Sequence, residues 1–516
     1  MYGSDTICAG ATICLIASLI WTVQGASDCT SGTPVSKDDL TAFRVSLSSP
    51  IALRTEVTYA QAAELVPDGL SEGNAPFFQM PVPQYIVTPE NEQDVVKAIQ
   101  FAADHGLKTS ARGTGHQISG IAVPSCGIVI DMSNLNKISL APDLQSATVQ
   151  MGARSGALFN ETLPRGVMPV AGHCQHVGVA GFTLGGGYGW GSRYFGAATD
   201  NVLSMDIVTV GPNRTATLAR LDYKSDPELF FGMRGAGGML GVAVSMTVKT
   251  HPIPQTTTNA TYAFNISRAQ EVVTWWEAWF KASPRTLESG IIIKRDHSLG
   301  PYITIWVVLV NASSPETDTA FANLSAFASN RSIPALDGGL STNTSTLAML
   351  TDYPTYCGNL SQATYWNTYY TKNSTIPQGL VSTMVTWITN TTSDGAYFVM
   401  YADLPPASGP AANAYGFRGT YQTEVIDAWD RSAGGAVVDG DANHIAWVKA
   451  ASAAVIPFTS GRYVNQLMFD FPDDNRASYE PATWERIVKL KAAHDPLNLF
   501  RDLNFARPGA STASSK

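Results

Sequence analysis

Charge is scarce in this sequence of 516 residues. Only 15% of the residues are Asp, Glu, Lys or Arg, and their balance gives a net charge of −9. A nucleic-acid-binding protein usually presents a basic face, so the acidic balance argues against such a partner. Hydrophobic residues make up 45% of the chain, which is typical of a globular protein. The length predicts two domains rather than one core.

The common nucleotide-binding motifs are also missing. No G-x-G-x-x-G frame fits the clusters at Gly113, Gly185 or Gly235, and no G-x-x-x-x-G-K-[ST] loop is found. Glycine itself is abundant, since eight glycines fall between Gly172 and Gly191. Glycine costs roughly 1 kcal/mol relative to alanine in a regular element. Such density therefore indicates bare backbone that approaches a ligand and offers it N–H groups.

A second glycine cluster lies upstream, in SARGTGHQ at residues 110–117, after a segment with helical spacing at Val95–His105. Gly113 and Gly115 could wrap a pyrophosphate with backbone amides, and Arg112 could lend positive charge.

The two clusters together form a recognisable pair of motifs. A-R-G-x-G-H is followed, about sixty residues later, by G-x-C-x-x-V-G-V-x-G-x-x-x-G-G-G-x-G. This pair resembles the berberine-bridge-enzyme branch of the vanillyl-alcohol-oxidase flavoproteins, which bind FAD through a PCMH-type domain. The resemblance covers roughly Pro81 to Pro254 and a short C-terminal piece. It implies that His116 attaches to the flavin C8α methyl and Cys174 to flavin C6.

The resemblance also implies further cofactor contacts. Val177 would border the flavin face that dioxygen reaches, and a small residue there favours an oxidase. The whole predicted cofactor-binding set is Arg112, Gly113, Thr114, Gly115, His116, Gln117, Cys174, Val177, Gly178, Gly181, Gly185, Gly186, Gly187, Tyr188, Asp200, Asn201, Val242 and Asn504.

Each of these assignments has an ordinary alternative. His116 could be a hydrogen-bonded loop residue, and Cys174 a buried structural thiol. Cys174 with His173 and His176 could also ligate a metal, although no fourth ligand is evident. Val177 could simply pack in a core, and the Asp and Asn residues could cap turns.

The catalytic residues are less clear. The family's Y-x-N-Y motif has a partial match in Tyr463-Val464-Asn465-Gln466. Tyr463 and Asn465, two apart on a predicted strand, would share one face and could point at the flavin. Gln466 stands where the family has a second tyrosine, which leaves the usual base unassigned. Both residues could instead line the strand without a part in catalysis.

The second half of the chain changes character after HPIP at residues 251–254. Long strands alternate with helices such as Ala269–Ala282 and Pro315–Ala328, which predicts an antiparallel sheet covered on one face by helices. The predicted fold is α+β with two domains. Residues 27–254 form the FAD-binding domain (core about 81–254) and residues 255–474 the substrate-binding domain, and residues 475–512 return to the first domain.

Several features indicate export. Ile7 to Val23 is an apolar run followed by small residues, which predicts a signal peptide over residues 1–26. No Lys or Arg precedes this run, and a short membrane anchor is the alternative. Eleven Asn-x-Ser/Thr sequons favour a glycoprotein; they begin at Asn160, Asn213, Asn259, Asn265, Asn311, Asn323, Asn330, Asn343, Asn359, Asn373 and Asn390.

Six cysteines are present, and Cys8 and Cys14 would leave with the signal peptide. The resemblance implies a disulfide between Cys29 and Cys126, with Cys357 left free.

The sequence therefore predicts a secreted FAD-dependent oxidase with doubly attached flavin. Its partners would be dioxygen and a bulky small-molecule substrate, with a secondary metabolite as the first candidate and no membrane contact after signal removal. An oligosaccharide oxidase on the same scaffold is the alternative, and a flavin-free binding glycoprotein is the second alternative.

Overall fold

A computed structural model of the chain provides the architecture. It describes residues 35–49, 53–55, 57, 82–117, 119–124, 126–336, 338–351, 362–401, 404–405, 407, 409, 412–430, 439–468, 470 and 473–501. The predicted signal peptide, Cys29, Cys357, Asn359 and Asn504 lie outside the described residues.

The first small sheet has four strands in the order β1-β2-β4-β3. They are β1 (Leu53–Arg54), β2 (Tyr85–Val87), β3 (Thr109–Arg112) and β4 (Ile128–Asp131). Helix α2 (Glu92–His105) connects β2 to β3, and α1 (Lys37–Ser46) precedes β1. The Asn91 side chain accepts from two N–H groups at the start of α2, and Gly106 ends it with φ 66.

The second sheet has five antiparallel strands in the order β5-β6-β10-β8-β9. They are β5 (Ile138–Leu140), β6 (Ser146–Gln150), β8 (Val202–Val210), β9 (Ala216–Asp222) and β10 (Val242–Lys249). Between them lie α3 (Ser155–Thr162), α4 (Val179–Leu184), α5 (Ser192–Phe195) and α6 (Pro227–Met233). The short pair β7 (Val167–Met168) and β11 (His251–Pro252) adds a two-stranded ribbon.

The third sheet is the largest, with strand order β15-β12-β14-β13-β17-β18-β16-β19. All its pairings are antiparallel, as predicted. Its strands are β12 (Thr256–Asn265), β13 (Leu287–Asp296), β14 (Gly300–Leu309), β15 (Gly339–Ser345), β16 (Gln362–Thr371), β17 (Ala396–Tyr401), β18 (Gln422–Asp430) and β19 (Thr459–Arg462).

Helices cover one face of this large sheet. They include α7 (Ala269–Ala282), α8 (Pro315–Ala328), α10 (Gln378–Asn390) and α11 (Asp439–Val455), whereas α9 (Thr346–Thr351) follows β15 and lies beside α3. The indole of Trp276 on α7 donates to Ser289 of β13 at 2.8 Å, so Ser289 points to the helices. Side chains alternate along a strand, and Glu288 therefore points to the opposite face. We call this opposite face the cavity face.

The register of the sheet shows which residues of the neighbouring strands also point to the cavity face. Gly290 of β13 pairs with Tyr401, Tyr401 with Gln422, and Gln422 with Tyr370. Counting in steps of two then places Glu424, Thr368 and Trp366 on the cavity face as well. The chain ends, within the described residues, with α12 (Asp474–Ala477) and α13 (Pro481–His494).

One predicted strand is wrong. The segment from Arg462 to Phe471 was expected to be a single long strand, but β19 ends at Arg462 and Val464–Gln466 form a 3-10 turn. Tyr463 and Asn465 therefore do not share a strand face. The predicted domain limits at residues 254 and 474 stay predictions; the large sheet begins with Thr256.

Candidate cofactor site

A cavity lies between the glycine segments and the cavity face of the large sheet. Its lining includes Gly113 to Gln117 from the loop after β3, and Gly172 to Cys174 with Val177, Gly178 and Gly181 from the second segment. The two segments touch directly, because a Cβ on Gly178 would fall 2.6 Å from the Thr114 hydroxyl oxygen. Glycine at 178 is thus required for the segments to form one wall.

Other predicted cofactor residues line the same cavity. The structure brings together Gly113, Thr114, Gly115, His116, Gln117, Cys174, Val177, Gly178, Gly181, Tyr188 and Val242. Gly181 lies in α4, where no Cβ contact within 4 Å would occur, so the space beside it is open. A helix there was not expected from the glycine density.

His116 is the most informative side chain of the cavity. Its Nδ1 atom is buried and has no hydrogen-bond partner in the part of the chain that the structure describes. Burial, together with the nearby charges of His176 and Arg154, lowers the pKa of His116 to about 4. The imidazole is therefore neutral at pH 7, which leaves a ring nitrogen with a lone pair.

Cys174 lines the cavity next to His173, but it does not carry a free thiol. Both Cys174 and Cys126 are disulfide-bonded. Cys29, the predicted partner of Cys126, and Cys357 lie outside the described residues. A sulfur in a disulfide cannot also bond to a flavin carbon, so the predicted thioether requires this disulfide to open. The attachment through Cys174 stays a prediction.

His173 is surrounded by aromatic rings rather than by ligands. Its ring contacts Trp190 edge-on with centroids 4.6 Å apart and stacks on Tyr401 at 5.7 Å. Burial lowers its pKa to about 4. No group of three or more metal-ligating side chains occurs among the described residues.

The central glycines of the second segment serve packing against the large sheet. A Cβ on Gly186 would lie 2.5 Å from the Tyr415 ring, and one on Gly187 would lie 2.6 Å from the Ala198 Cβ. Gly185 faces the Asn465 side chain in the same way. The structure does not bring these three glycines to the cavity lining, because other parts of the chain occupy the space beside them.

Arg112, Asp200 and Asn201 are also engaged elsewhere. Arg112 donates to the Asp131 carboxylate at 2.9 Å and to the Thr114 carbonyl at 3.1 Å. Asp200 forms an ion pair with Arg418 at 2.7 Å. Asn201 donates to the Ala197 carbonyl at 2.8 Å and contacts the His251 ring. For Asp200 and Asn201 this resembles the turn-capping alternative.

Tyr463 and Asn465 line the cavity and hold the glycine segment. The Tyr463 hydroxyl accepts from the backbone N–H groups of Gly187 at 3.0 Å and Tyr188 at 3.3 Å. The Asn465 amide donates to that hydroxyl at 3.1 Å and to the Phe182 carbonyl at 2.9 Å. Burial raises the pKa of Tyr463, against the effect of these donors. Both residues thus connect the two halves of the site, while their predicted catalytic role stays a prediction.

Three residues on the cavity side were missed by sequence reasoning. Gln422 and Glu424 lie on β18, and their side chains bond to Gln466, which lines the cavity. Trp366 on β16 also lines the cavity. A strand of alternating polar and apolar residues was the available signal, but the sequence does not say which face meets the cavity.

The end of the described chain closes the cavity. Phe500 and Arg501 line it beside Gly237 and Gly238. The Lys491 ammonium holds this segment through the Asp495 carboxylate at 2.6 Å and the Arg501 carbonyl at 2.9 Å. The return of residues 475–512 to the first domain stays a prediction.

The comparisons with known proteins identify the class of this site. Residues 83–213 match the FAD binding domain family. The FAD-linked oxidoreductase YgaK of Bacillus subtilis is 23% identical over 81% of this chain and 90% of its own. The xylooligosaccharide oxidase of Thermothelomyces thermophilus is 26% identical over 81% of this chain and 86% of its own. The structure of a 6-hydroxy-D-nicotine oxidase from Arthrobacter nicotinovorans superimposes with a TM-score of 0.73 and 20% identity, covering 88% of this chain and 97% of that one.

The protein is an FAD-linked oxidoreductase with a PCMH-type FAD-binding domain. Its fold is that of the vanillyl-alcohol-oxidase flavoproteins, and residues 83–213 carry the FAD-binding domain that the paired motifs predicted.

The residues of the cavity fit FAD. The described lining contains no carboxylate, and Arg501 contributes a positive charge, which suits an anionic diphosphate. The open space beside Gly181 and Gly238 leaves room for a ligand against the backbone. The unpartnered Nδ1 of His116 supplies a nitrogen for attachment.

No helix among the described residues is long and apolar enough to cross a membrane.

Proposed function

We propose that this protein is a secreted oxidase that holds FAD in the cavity, attached through His116, and oxidises a bulky small molecule. The observation that carries the proposal is the state of His116. A buried imidazole with an unpartnered Nδ1 and a pKa of about 4 is neutral over the physiological range. A neutral imidazole nitrogen is a nucleophile, and an imidazolium is not. The names of the oxidase relatives support the same conclusion.

Bound FAD would supply the redox chemistry by taking a hydride from a substrate carbon and passing the electrons to dioxygen, with release of hydrogen peroxide. The chain's own residues position the reactants. Tyr188, Trp366 and Tyr463 form buried aromatic walls that exclude water from the cavity. Val177 is a small residue of the same lining, which supports dioxygen as the acceptor.

We propose a second covalent bond to the flavin, through Cys174, only for protein in which the Cys174 disulfide has been reduced. Cys174 lies in the same lining as His116, so the position suits attachment. Its sulfur becomes available only after a thiol reductant has cleaved the disulfide. The attachment through His116 does not depend on that step.

For the substrate, a secondary metabolite with an oxidisable alcohol, C–H or C–N centre remains our first candidate. An oligosaccharide is the second candidate, because one of the relatives that match 81% of this chain is named a xylooligosaccharide oxidase. Trp366 on the cavity wall is compatible with either, since an aromatic ring packs against sugar rings and planar metabolites alike.

Export and glycosylation form part of the proposal. Ten of the eleven sequon asparagines lie within the described residues, and eight of these ten are exposed. Asn259, on β12, and Asn311, after β14, are partly buried. Exposure at so many sequons is what a glycoprotein requires.

The test uses full-length protein secreted by a eukaryotic host. Acid precipitation and peptide mass spectrometry should find flavin on the peptide that contains His116, and His116→Ala should release it. Peroxide release would then be screened with xylobiose, cellobiose and aromatic alcohols. Unmodified His116 in folded, flavin-free protein would contradict the proposal and favour the binding-glycoprotein alternative. Repeating the digestion with and without prior reduction reports separately on Cys174.

A further inference from the structure

Three polar side chains meet on the cavity side of the large sheet. Gln422 donates from Nε2 to Glu424 Oε1 at 3.1 Å and to Gln466 Oε1 at 3.0 Å. Thr368 donates to Gln466 Oε1 at 3.1 Å, and the Gln466 side chain also hydrogen-bonds to Glu424. We call these residues, Gln422, Glu424 and Gln466, the Glu424 network. Only Gln466 among them lines the cavity.

The orientation of both amides follows from the carboxylate. An ionised carboxylate only accepts hydrogen bonds, so Gln422 and Gln466 must each turn an NH₂ group toward Glu424. The Gln466 oxygen then accepts from Gln422 and Thr368, which uses both of its lone pairs. The amide nitrogen of Gln466 has two N–H groups, and only one is needed for Glu424. The other N–H has no partner in the described chain and belongs to a side chain on the cavity wall.

The Glu424 network contains a carboxyl group but no positively charged side chain. Glu424 is 2% exposed and forms no ion pair within the described residues. Burial raises its pKa to about 7, while the hydrogen bonds from Gln422 and Gln466 oppose the rise. The ionisable groups that face Glu424 are the phenols of Tyr188 and Tyr463, which are neutral at this pH. A buried acid without a cation is a cost to the fold that an ordinary packing role does not require.

We propose that the Glu424 network is the subsite for the oxygen of the substrate's hydroxyl group, with the free N–H of Gln466 donating to that oxygen. Glu424 is a positioning residue, because it acts by fixing the Gln466 amide. The inference deepens the proposed function and rests on it, since it takes the cavity as the site of oxidation.

This arrangement selects alcohols and hemiacetals over amines. A hydroxyl oxygen accepts a hydrogen bond from the Gln466 N–H, and it remains an acceptor as the carbon becomes a carbonyl. A protonated amine has only donors, so it would meet a donor without forming a bond.

The test measures ligand binding to flavin-loaded protein, kept reduced and anaerobic so that no ligand turns over. The probes are 4-methoxybenzyl alcohol, 4-methoxybenzylamine and 4-methoxytoluene, titrated by calorimetry below and above the pKa of about 7. The alcohol should bind about fivefold more tightly above this pH, as expected for one added hydrogen bond. 4-Methoxytoluene, which lacks the oxygen, should bind equally at both pH values.

Two variants separate positioning from packing. Glu424→Gln keeps the shape and should abolish the pH dependence of alcohol binding, together with the carboxyl infrared band that titrates near this pH. Gln466→Leu should weaken alcohol binding about fivefold and leave 4-methoxytoluene unaffected. Glu288→Gln is the matched control, because Glu288 is a second buried acid that bonds to backbone N–H groups of α5 and not to the network. Its alcohol binding should keep the wild-type pH dependence.

The outcomes are distinguishable. Two results would overturn the inference and leave the proposed function standing. One is alcohol binding by flavin-loaded wild type that does not change with pH, and the other is tighter binding of the amine above the pKa. Protein that never contains flavin contradicts the proposed function itself.

Discussion

Arg418 forms a bidentate ion pair with Asp200, with both guanidinium N–H groups 2.7 Å from the carboxylate oxygens. Each side chain is only 10% exposed. Asp200 lies just after the second glycine segment, and Arg418 precedes β18 of the large sheet. Asn413 donates to the same carboxylate at 2.6 Å. The pair therefore joins the FAD-binding part of the chain to the large sheet.

Removal of this cation should destabilise the protein strongly. Arg418→Met leaves the Asp200 charge buried with hydrogen bonds from the Asn413 amide and the Ala197 N–H but without its ion-pair partner, and an uncompensated buried charge costs about 3–5 kcal/mol. Urea denaturation followed by tryptophan fluorescence measures the loss. Glu228→Gln is the control, since its pair with Arg486 is 61% and 38% exposed and should be worth under about 1 kcal/mol. Equal effects of the two substitutions would contradict the structural role of the Arg418 pair.

A second prediction concerns the hydroxyl of Tyr463, which accepts from two backbone N–H groups of the glycine segment. Tyr463→Phe leaves those N–H groups buried without their acceptor, so the free energy of unfolding should fall by about 1–3 kcal/mol. If Tyr463 is also the catalytic base, flavin reduction by substrate should slow by orders of magnitude in the same variant. Stopped-flow reduction under anaerobic conditions separates the two roles, because stability loss alone leaves that rate in folded protein nearly unchanged.

Local signals in the sequence predicted the regular elements well. The bounds of α7 and α8 agree with the predicted helices at Ala269–Ala282 and Pro315–Ala328. Helix α8 shows why, since Ser314 caps its first turn and Pro315 occupies its first position. The paired motifs at residues 111–116 and 172–189 likewise predicted the FAD-binding class, because their spacing is specific to a family.

The contacts between distant segments could not be predicted in this way. Gly185 to Gly187 were assigned to the cofactor because glycine signals close approach without saying what approaches. In the structure Asn465 approaches Gly185 and Tyr415 approaches Gly186, each more than 200 positions further along the chain, while Gly187 meets the nearby Ala198. Glu424 was missed for a related reason: its burial and its two amide partners depend on the register of β16 and β18.

Gly181 offers a test of the cofactor cradle that does not depend on catalysis. A methyl group at this position would meet no protein atom within 4 Å, and it would project into the cavity. Alanine is better than glycine within a helix by up to about 1 kcal/mol. Gly181→Ala should therefore leave flavin-free protein as stable as wild type or slightly more so, yet reduce its FAD content.

The measurement is the ratio of flavin to protein absorbance after expression with excess riboflavin. Thermal unfolding of protein from riboflavin-depleted cells supplies the stability control. Full FAD loading in the alanine variant would show that the cofactor does not approach the chain at this position.

The final prediction follows from the pKa of Glu288. Burial raises this pKa to about 8, although the N–H groups of residues 191–193 oppose the rise. The unfolded chain releases the proton near the ordinary pKa of 4.5, so the folded protein holds more protons between the two values. Stability contributed by this difference is present at low pH and is lost as the pH rises from 4.5 to about 8.

Other buried groups change the stability only below this range. The raised pKa of Glu424 also makes stability fall with rising pH, but only up to about pH 7. Three histidines have folded pKa values of about 4, namely His116, His173 and His251. They make stability rise with pH, but only below their ordinary pKa of 6.5. The pH interval from about 7 to 8 therefore reports on Glu288 alone.

Across this pH unit the free energy of unfolding of the wild type should fall by about 1 kcal/mol, and that of Glu288→Gln should stay constant. Urea titrations at closely spaced pH values measure both profiles, and parallel curves for the two proteins would assign the pH dependence to another group.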